Sequence, residues 1–129
     1  MKTLIILLVL IGVFFLVKQL IAGPSITPAQ AAARFAAGEA ILIDVREPGE
    51  WARGVAEPAV LCSLSDLRRS RAQWTPILAA NRDKELLLYC ASGARSGIAA
   101  GILRGEGFRA VNIGGLGAWQ SAGLPVRQP

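Results

Sequence analysis

The run Leu86-Leu87-Leu88-Tyr89-Cys90-Ala91-Ser92-Gly93-Ala94-Arg95-Ser96 holds the residues of this chain best suited to chemistry. An apolar, strand-like segment delivers a cysteine into a loop of small residues. The loop closes on an arginine just before the helical pattern Ile98-Ala99-Ala100-Gly101-Ile102-Leu103. Thiols react as thiolates, and an unperturbed cysteine is mostly protonated at neutral pH. Three features of the run favour the charged form. Arg95 brings a permanent cation, the backbone N–H groups of Ala91 to Ser96 can curl into an anion-binding nest, and the following helix turns the positive end of its dipole toward the loop. Small side chains at Ala91, Ser92, Gly93 and Ala94 let the backbone itself line a pocket, and Gly93 can take conformations that other residues resist. Cys90 is therefore the candidate nucleophile, and Ala91, Ser92, Gly93, Ala94, Arg95 and Ser96 form the candidate binding loop.

Other chemistries are excluded by what the chain lacks. It has no histidine and two cysteines, which removes the common zinc sites and any Cys–His or Ser–His dyad. No metal or cofactor is expected. Cys62 sits among Val60, Leu61 and Leu64 with no adjacent cation, so it reads as core packing, as do Trp51, Trp74 and Trp119. Formal net charge is +5; with Lys2 and Lys18 set aside, twelve Lys/Arg face nine Asp/Glu over residues 24–129. That mildly basic balance suits a small anionic substrate or an acidic membrane surface, and it is not the clustered footprint of a nucleic-acid binder. The one dense cluster, Arg68, Arg69 and Arg71, reads as a solvated helix face.

Positioning the loop requires a scaffold, and the chain alternates strand and helix signals. Ser25-Ile26 suits a brief edge strand. Thr27-Pro28 reads as a helix N-cap and first position, and Gly38 as the stop after Ala29–Ala37. Ala40 to Val45 is nearly continuously apolar, the mark of a strand buried on both faces. Glu47 to Trp51 reads as a turn into a short helix, across which Arg46 and Glu50 are spaced to pair. Ala59–Cys62 is a second strand. Ser63 to Asp66 offers helix caps before a helical stretch over Leu67–Ala80, which Pro76 should kink or divide. Glu85–Tyr89 is the third strand and Phe108–Ile113 the fourth. Gly114-Gly115-Leu116-Gly117 reads as a flexible turn and Ala118–Ala122 as a short closing helix. With no hairpin signal, this order predicts an α/β domain with an open parallel sheet and helices on both faces.

Ahead of that domain, Leu4 to Val17 has no polar or charged residue, and the apolar run with its flanks spans Thr3 to Ala22. A helix of that length covers roughly 30 Å, enough to cross a bilayer core. The rival is a cleaved secretory signal, but bulky Leu20 spoils a cut after Ala22, and Ala29-Gln30-Ala31 lies inside the first domain helix. The expected division is residues 1–23 as a transmembrane anchor and 24–129 as the domain, with the membrane met through residues 3–22. Lys2 and the α-amine lean orientation toward an exported domain.

Three blocks outside the anchor resemble the single-domain rhodaneses. Leu42-Ile43-Asp44-Val45-Arg46-Glu47-Pro48-Gly49-Glu50-Trp51 resembles the family's N-terminal signature. Cys90-Ala91-Ser92-Gly93-Ala94-Arg95 is similar to its six-residue active loop, followed by Ser96. Gly107-Phe108 through Gly114-Gly115, Ala118-Trp119 and Ala122-Gly123-Leu124-Pro125-Val126 resembles its C-terminal block. The resemblance implies a rhodanese-like open parallel sheet and sulfurtransfer. In that reaction Cys90 takes the outer sulfur of thiosulfate or a related small anionic donor as a persulfide, then passes it to a thiol or cyanide. Related phosphatases carry one more residue between cysteine and arginine, so the four-residue gap here implies a sulfur-sized cradle. The chain departs from the family at Gly54-Val55-Ala56-Glu57-Pro58-Ala59, where a histidine is common, and at Ala91, where many active relatives carry a charge. The alternative reading is a catalytically weak rhodanese-like binding or redox-sensing module tethered to the membrane.

Overall fold

Four parallel strands lie in the order β3-β1-β4-β5, and their side-chain alternation explains why both faces are covered. The computed structural model describes the backbone of residues 1–129 and every side chain except those of residues 21 and 22. In chain order the elements are α1 (Lys2–Ala22), α2 (Pro28–Ala36), β1 (Ala40–Asp44), α3 (Pro48–Trp51), β2 (Val55–Ala56), β3 (Val60–Leu61) and α4 (Leu64–Leu67). They continue as α5 (Trp74–Ala80), β4 (Glu85–Cys90), α6 (Ala94–Gly105), β5 (Ala110–Gly115), α7 (Leu116–Ser121) and β6 (Val126–Arg127). Successive strand residues point to opposite faces. Leu86, Leu88 and Cys90 of β4 pack with Trp74, Leu78, Ala99 and Leu103 of α5 and α6. Leu87 and Tyr89 pack with Ala31 and Trp119 of α2 and α7 on the other face. Each fully buried leucine or isoleucine in these layers contributes roughly 1.5–3 kcal/mol relative to exposure.

The expected edge strand survives as a single parallel bridge from Ser25 to Asn112. Helix α2 starts as anticipated, with the Thr27 hydroxyl accepting from Gln30 N and the Gln30 side chain accepting from Thr27 N; this reciprocal pair satisfies two otherwise unpaired donors.

Three expectations need correction. The helix anticipated over Leu67–Ala80 is two short helices, and the break falls at residues 68–73 rather than at Pro76. Asp66 causes it: its carboxylate accepts from Ser70 Oγ and Gln73 N, while Arg71 turns to φ 59°. Pro76 lies in the first turn of α5, where no intrahelical N–H is needed. The anticipated turn at Gly114-Gly115 belongs to β5. Finally, the sheet is accompanied by a separate antiparallel ribbon in which Val55 and Ala56 pair with Arg127 and Val126.

Helix α1 has the length and composition of a membrane span over Lys2–Leu20, with a mean hydropathy of 2.6 and none of that stretch buried. An N-terminal signal sequence has the same character.

Candidate active site

Strand β4 carries Cys90 at its last position, where the ladder to β5 is irregular: Leu88 pairs with Asn112, but Cys90 pairs with Gly115. The loop crowds against this bulge. A Cβ at Gly115 would stand 2.3 Å from the Ala91 carbonyl oxygen, so only glycine lets the two backbones approach this closely. Gly93 has φ 92° and caps α6, a left-handed conformation costing about 1–2 kcal/mol for a residue with a Cβ. That turn points the Gly93 N–H at Cys90 Sγ, 3.0 Å away.

Ser96 Oγ lies 3.4 Å from the same sulfur and 2.8 Å from Asn112 Oδ1. A hydroxyl has one proton, so the two contacts alternate. When Cys90 is a thiol, its S–H can donate to Ser96 Oγ while Ser96 donates to Asn112. When Cys90 is a thiolate, the Ser96 proton turns to sulfur. Burial, the largest influence, pushes the Cys90 thiol up, but hydrogen bonds from the Ser96 hydroxyl and the N–H groups of Ser96, Ser92 and Gly93 outweigh it and leave the pKa below its ordinary value. Cys90 has no exposed surface, whereas Ala91, Ser92 and Ala94 form the outer rim of the loop.

The cation of the loop is already engaged. Arg95 donates to both carboxylate oxygens of Glu50, at 2.5 and 2.9 Å, the bidentate arrangement that guanidinium and carboxylate favour. The Arg95 hydrogen bonds, followed in size by burial acting the other way, hold the Glu50 carboxyl down at about 2. The expected Arg46–Glu50 ion pair does not form. Arg46 instead grips the buried Asp44 carboxylate through Nε and Nη2, the latter at 2.8 Å. Its other contacts are the Gly54 carbonyl, at 2.7 Å, and the Glu50 backbone oxygen. Burial opposes the Arg46 charge, yet Asp44 more than compensates and its pKa is raised. Trp51 Nε1 also donates to Asp44. This knot sets the 44–54 segment, and with it the position of Glu50.

Two residues important to the loop carry no local signature. Asn112 binds it from across the sheet: Nδ2 donates to the Gly93 carbonyl at 2.9 Å, and Oδ1 accepts from Ser96 and from Gly114 N. Tyr89, beside the nucleophile, accepts from Ala56 N through its hydroxyl. The position where the resembled family often has histidine is Val55, fully buried in the ribbon. Among the described residues, no group of three or more Cys, Asp or Glu side chains comes together as a metal site. The geometry provides a buried, anion-stabilising sulfur under a short loop, suited to covalent chemistry at Cys90.

Comparison with known proteins finds similar sequences and folds. The family described as Rhodanese-like domain matches residues 27–122. A protein of Allochromatium vinosum named Sulfurtransferase is 34% identical over 93 residues, covering 70% of this chain and 81% of that protein. A rhodanese-related protein of Thermoplasma volcanium superposes with a TM-score of 0.70 at 30% identity, covering 83% of this chain and all of that one. A human single-domain sulfurtransferase superposes with a TM-score of 0.65 at 27% identity, covering 77% of this chain and 96% of the other.

Proposed function

Because this chain belongs to the rhodanese-like family, we propose that it is a sulfurtransferase that carries sulfur as a persulfide on Cys90. The observation that carries the reading is the set of donors aimed at a buried sulfur, Gly93 N–H and the Ser96 hydroxyl. The Cys90 thiolate attacks the outer sulfur of thiosulfate or a related sulfane donor. A new S–S bond forms as the donor's S–S bond breaks, and sulfite leaves with the bonding electron pair. A thiolate or cyanide then attacks the outer sulfur of the persulfide, and Cys90 departs as the thiolate that the loop amides stabilise. No net oxidant or reductant is consumed, and two half-reactions of this kind give ping-pong kinetics. The loop N–H groups hold the anionic donor and the charge that develops on sulfur. Arg95 joins them as its contact with Glu50 is exchanged for one with the donor.

The test is thiocyanate formation from thiosulfate and cyanide by the full chain in detergent micelles. Mass spectrometry of Cys90 after donor treatment alone accompanies it. The expected result is turnover and a 32 Da adduct (about one sulfur atom) on Cys90, the stored form of a covalent nucleophile. The absence of both would end this reading.

The full burial of Cys90 and the engagement of Arg95 by Glu50 favour a second reading, a weakly catalytic binding or redox-sensing module. A cellular phenotype that survives Cys90→Ser would select the binding form. We further propose that α1 anchors the protein as a single-pass span with the domain on the exported side. Extraction by alkaline carbonate, or a cytoplasmic signal from a reporter fused after Pro129, would contradict that placement.

A further inference from the structure

The strands of the sheet begin at the end opposite the Cys90 loop. Glu85 opens β4 and Cys90 closes it, so at about 3.3 Å per residue the two lie roughly 17 Å apart. A cleft of about 460 Å³ opens at that starting end, and its walls include Pro24, Glu85, Arg104, Phe108 and Arg109. Its charges are not balanced. Glu85, its one acid, is taken up by Arg34 at 2.6 Å. Arg104 and Arg109 are held by backbone oxygens, those of Ala110 and Asp83. Neither meets a carboxylate among the described residues, so both guanidiniums keep an uncompensated charge and spare N–H donors. Around the cleft, Arg34, Arg82, Lys84, Arg104 and Arg109 outnumber Glu39, Asp83 and Glu85, and Glu106 is tied to Arg71. The cleft also lies where the chain leaves the apolar helix. Only Gly23 and Pro24 separate α1 from Ser25, which bridges to Asn112 of β5. Three residue steps reach at most about 11 Å. The Arg104 guanidinium packs so closely on Gly23 that a Cβ there would overlap Nη2, and Lys18 lies near the same end of α1. With α1 in a bilayer, so short a tether keeps the start of the strands at the level of the headgroups.

We infer that this cleft seats the phosphate of an anionic lipid headgroup between Arg104 and Arg109, and that the contact docks the domain with its Cys90 loop turned away from the bilayer. The inference rests on the membrane span proposed above. Basic side chains are drawn to an anionic leaflet once they lie within about a Debye length of it. The guanidinium fork matches the oxygens of a phosphate, which gives the contact geometry as well as charge. A domain held in this way stands upright on its tether and leaves the loop open to water.

The experiment follows amide hydrogen exchange of the full chain in nanodiscs of phosphatidylcholine alone and of equimolar phosphatidylcholine and phosphatidylglycerol. At low ionic strength, residues 81–85 and 104–109 should exchange roughly 5-fold slower in the anionic discs, the scale set by one basic side chain at a charged surface. Residues 91–94 and 116–121, at the other end of the sheet, should exchange equally in both. The slowing should vanish at high salt and in the double variant Arg104→Gln/Arg109→Gln. Equal exchange at the first two segments overturns the headgroup site, as does slowing that neither salt nor the double variant removes. Slowing confined to 91–94 would put the loop on the membrane and overturn it too. The same holds if inorganic phosphate slows exchange in neutral discs while the anionic lipid has no effect, since the cleft then takes a free anion. Insertion into the neutral discs separates the two conclusions. A chain that inserts but shows no lipid dependence defeats only the headgroup site, and one that fails to insert defeats the span and the site with it. Because lipid and salt dependence are read on the unaltered chain, the result stands even if the double variant folds poorly.

Discussion

Cys62 and Cys90 are two cysteines in nearly identical settings with opposite chemistry. One follows β3 and the other ends β4, the two strands that flank β1, and both pack into the same core layer with exposures of 1% and 0%. Burial alone would push both thiols up. For Cys62 it does, to about 12, helped by the charge of Asp66, and among the described residues the sulfur has only the Gln73 carbonyl as partner, at 3.5 Å. Cys90 goes the other way because its neighbours are donors: Gly93 N–H, the Ser96 hydroxyl and the amides of the loop. The difference is the hydrogen-bonding polarity of the surroundings. A sulfur facing a carbonyl holds its proton more tightly than an ordinary thiol, and a sulfur facing N–H groups holds it less tightly.

The harshest test of this contrast exchanges each sulfur for oxygen. Cys90→Ser is expected to reduce sulfurtransfer by at least about 10³-fold, the scale of losing a covalent nucleophile. Cys62→Ser should keep most of the activity and cost about 1 kcal/mol of stability; equal losses of activity would erase the distinction. Next, Gly115→Ala pushes the loop away from β5 through the contact with the Ala91 oxygen. It should cut kcat by about 10²-fold, as a misplacement on the order of 1 Å does, while circular dichroism shows the fold retained.

Ser96→Ala removes one donor and returns Cys90 toward ordinary thiol behaviour. Iodoacetamide labelling at neutral pH should slow roughly tenfold, the worth of a hydrogen bond to a charged acceptor, with its pH profile moved upward. An unmoved profile would mean that the amides alone suffice. The Cys62 side of the contrast is read in alkaline unfolding. In the folded protein Cys62 holds its proton up to about 12, while the unfolded chain releases it near pH 8.5. The unfolded state therefore binds fewer protons in between, and stability falls as pH rises through that window. Cys62→Ser should flatten this part of the urea-midpoint curve.

The smallest effect concerns Arg95. If the amides and Ser96 control Cys90, Glu50→Gln should leave the labelling profile of Cys90 nearly unchanged. It should lower KM for thiosulfate about 3-fold by removing a competing carboxylate from a partly exposed pair. Glu50 stays ionised down to about pH 2, so in the unaltered protein this competition persists across the whole neutral and mildly acid range.

The loop was legible in the sequence because all of its parts are adjacent: nucleophile, small residues, arginine and serine occupy one uninterrupted run. The parallel α/β architecture was legible for a similar reason, since each buried strand announces itself by its own apolar run. The partners that finish the site were not. Glu50 was matched to Arg46 by its helical spacing, but Asp44 lies two residues from Arg46 on the same strand end and is fully buried. A buried carboxylate needs a cation more than an exposed one does, since a lone buried charge carries a large desolvation penalty. That leaves Glu50 free for Arg95. Asn112 reads as one polar residue in an apolar strand, a hint of a special position without a stated partner. The β2–β6 ribbon was invisible because two-residue strands have no periodicity to detect. The broken helix was misplaced because Pro76 is conspicuous in a sequence, whereas the cap supplied by Asp66 is apparent only once the chain has turned back on it.

The bulge that seats Gly115 beneath Ala91 divides the site into positions that can change and positions that cannot. In a saturation library, Ala91, Ser92 and Ala94 should accept many side chains, because they line the outside of the loop. Gly115, far along the chain and chemically inert, should accept none, because any Cβ collides with the Ala91 carbonyl. Substrate preference can then drift through the rim across generations while the sulfur cradle stays fixed, held by the absence of a single methyl group.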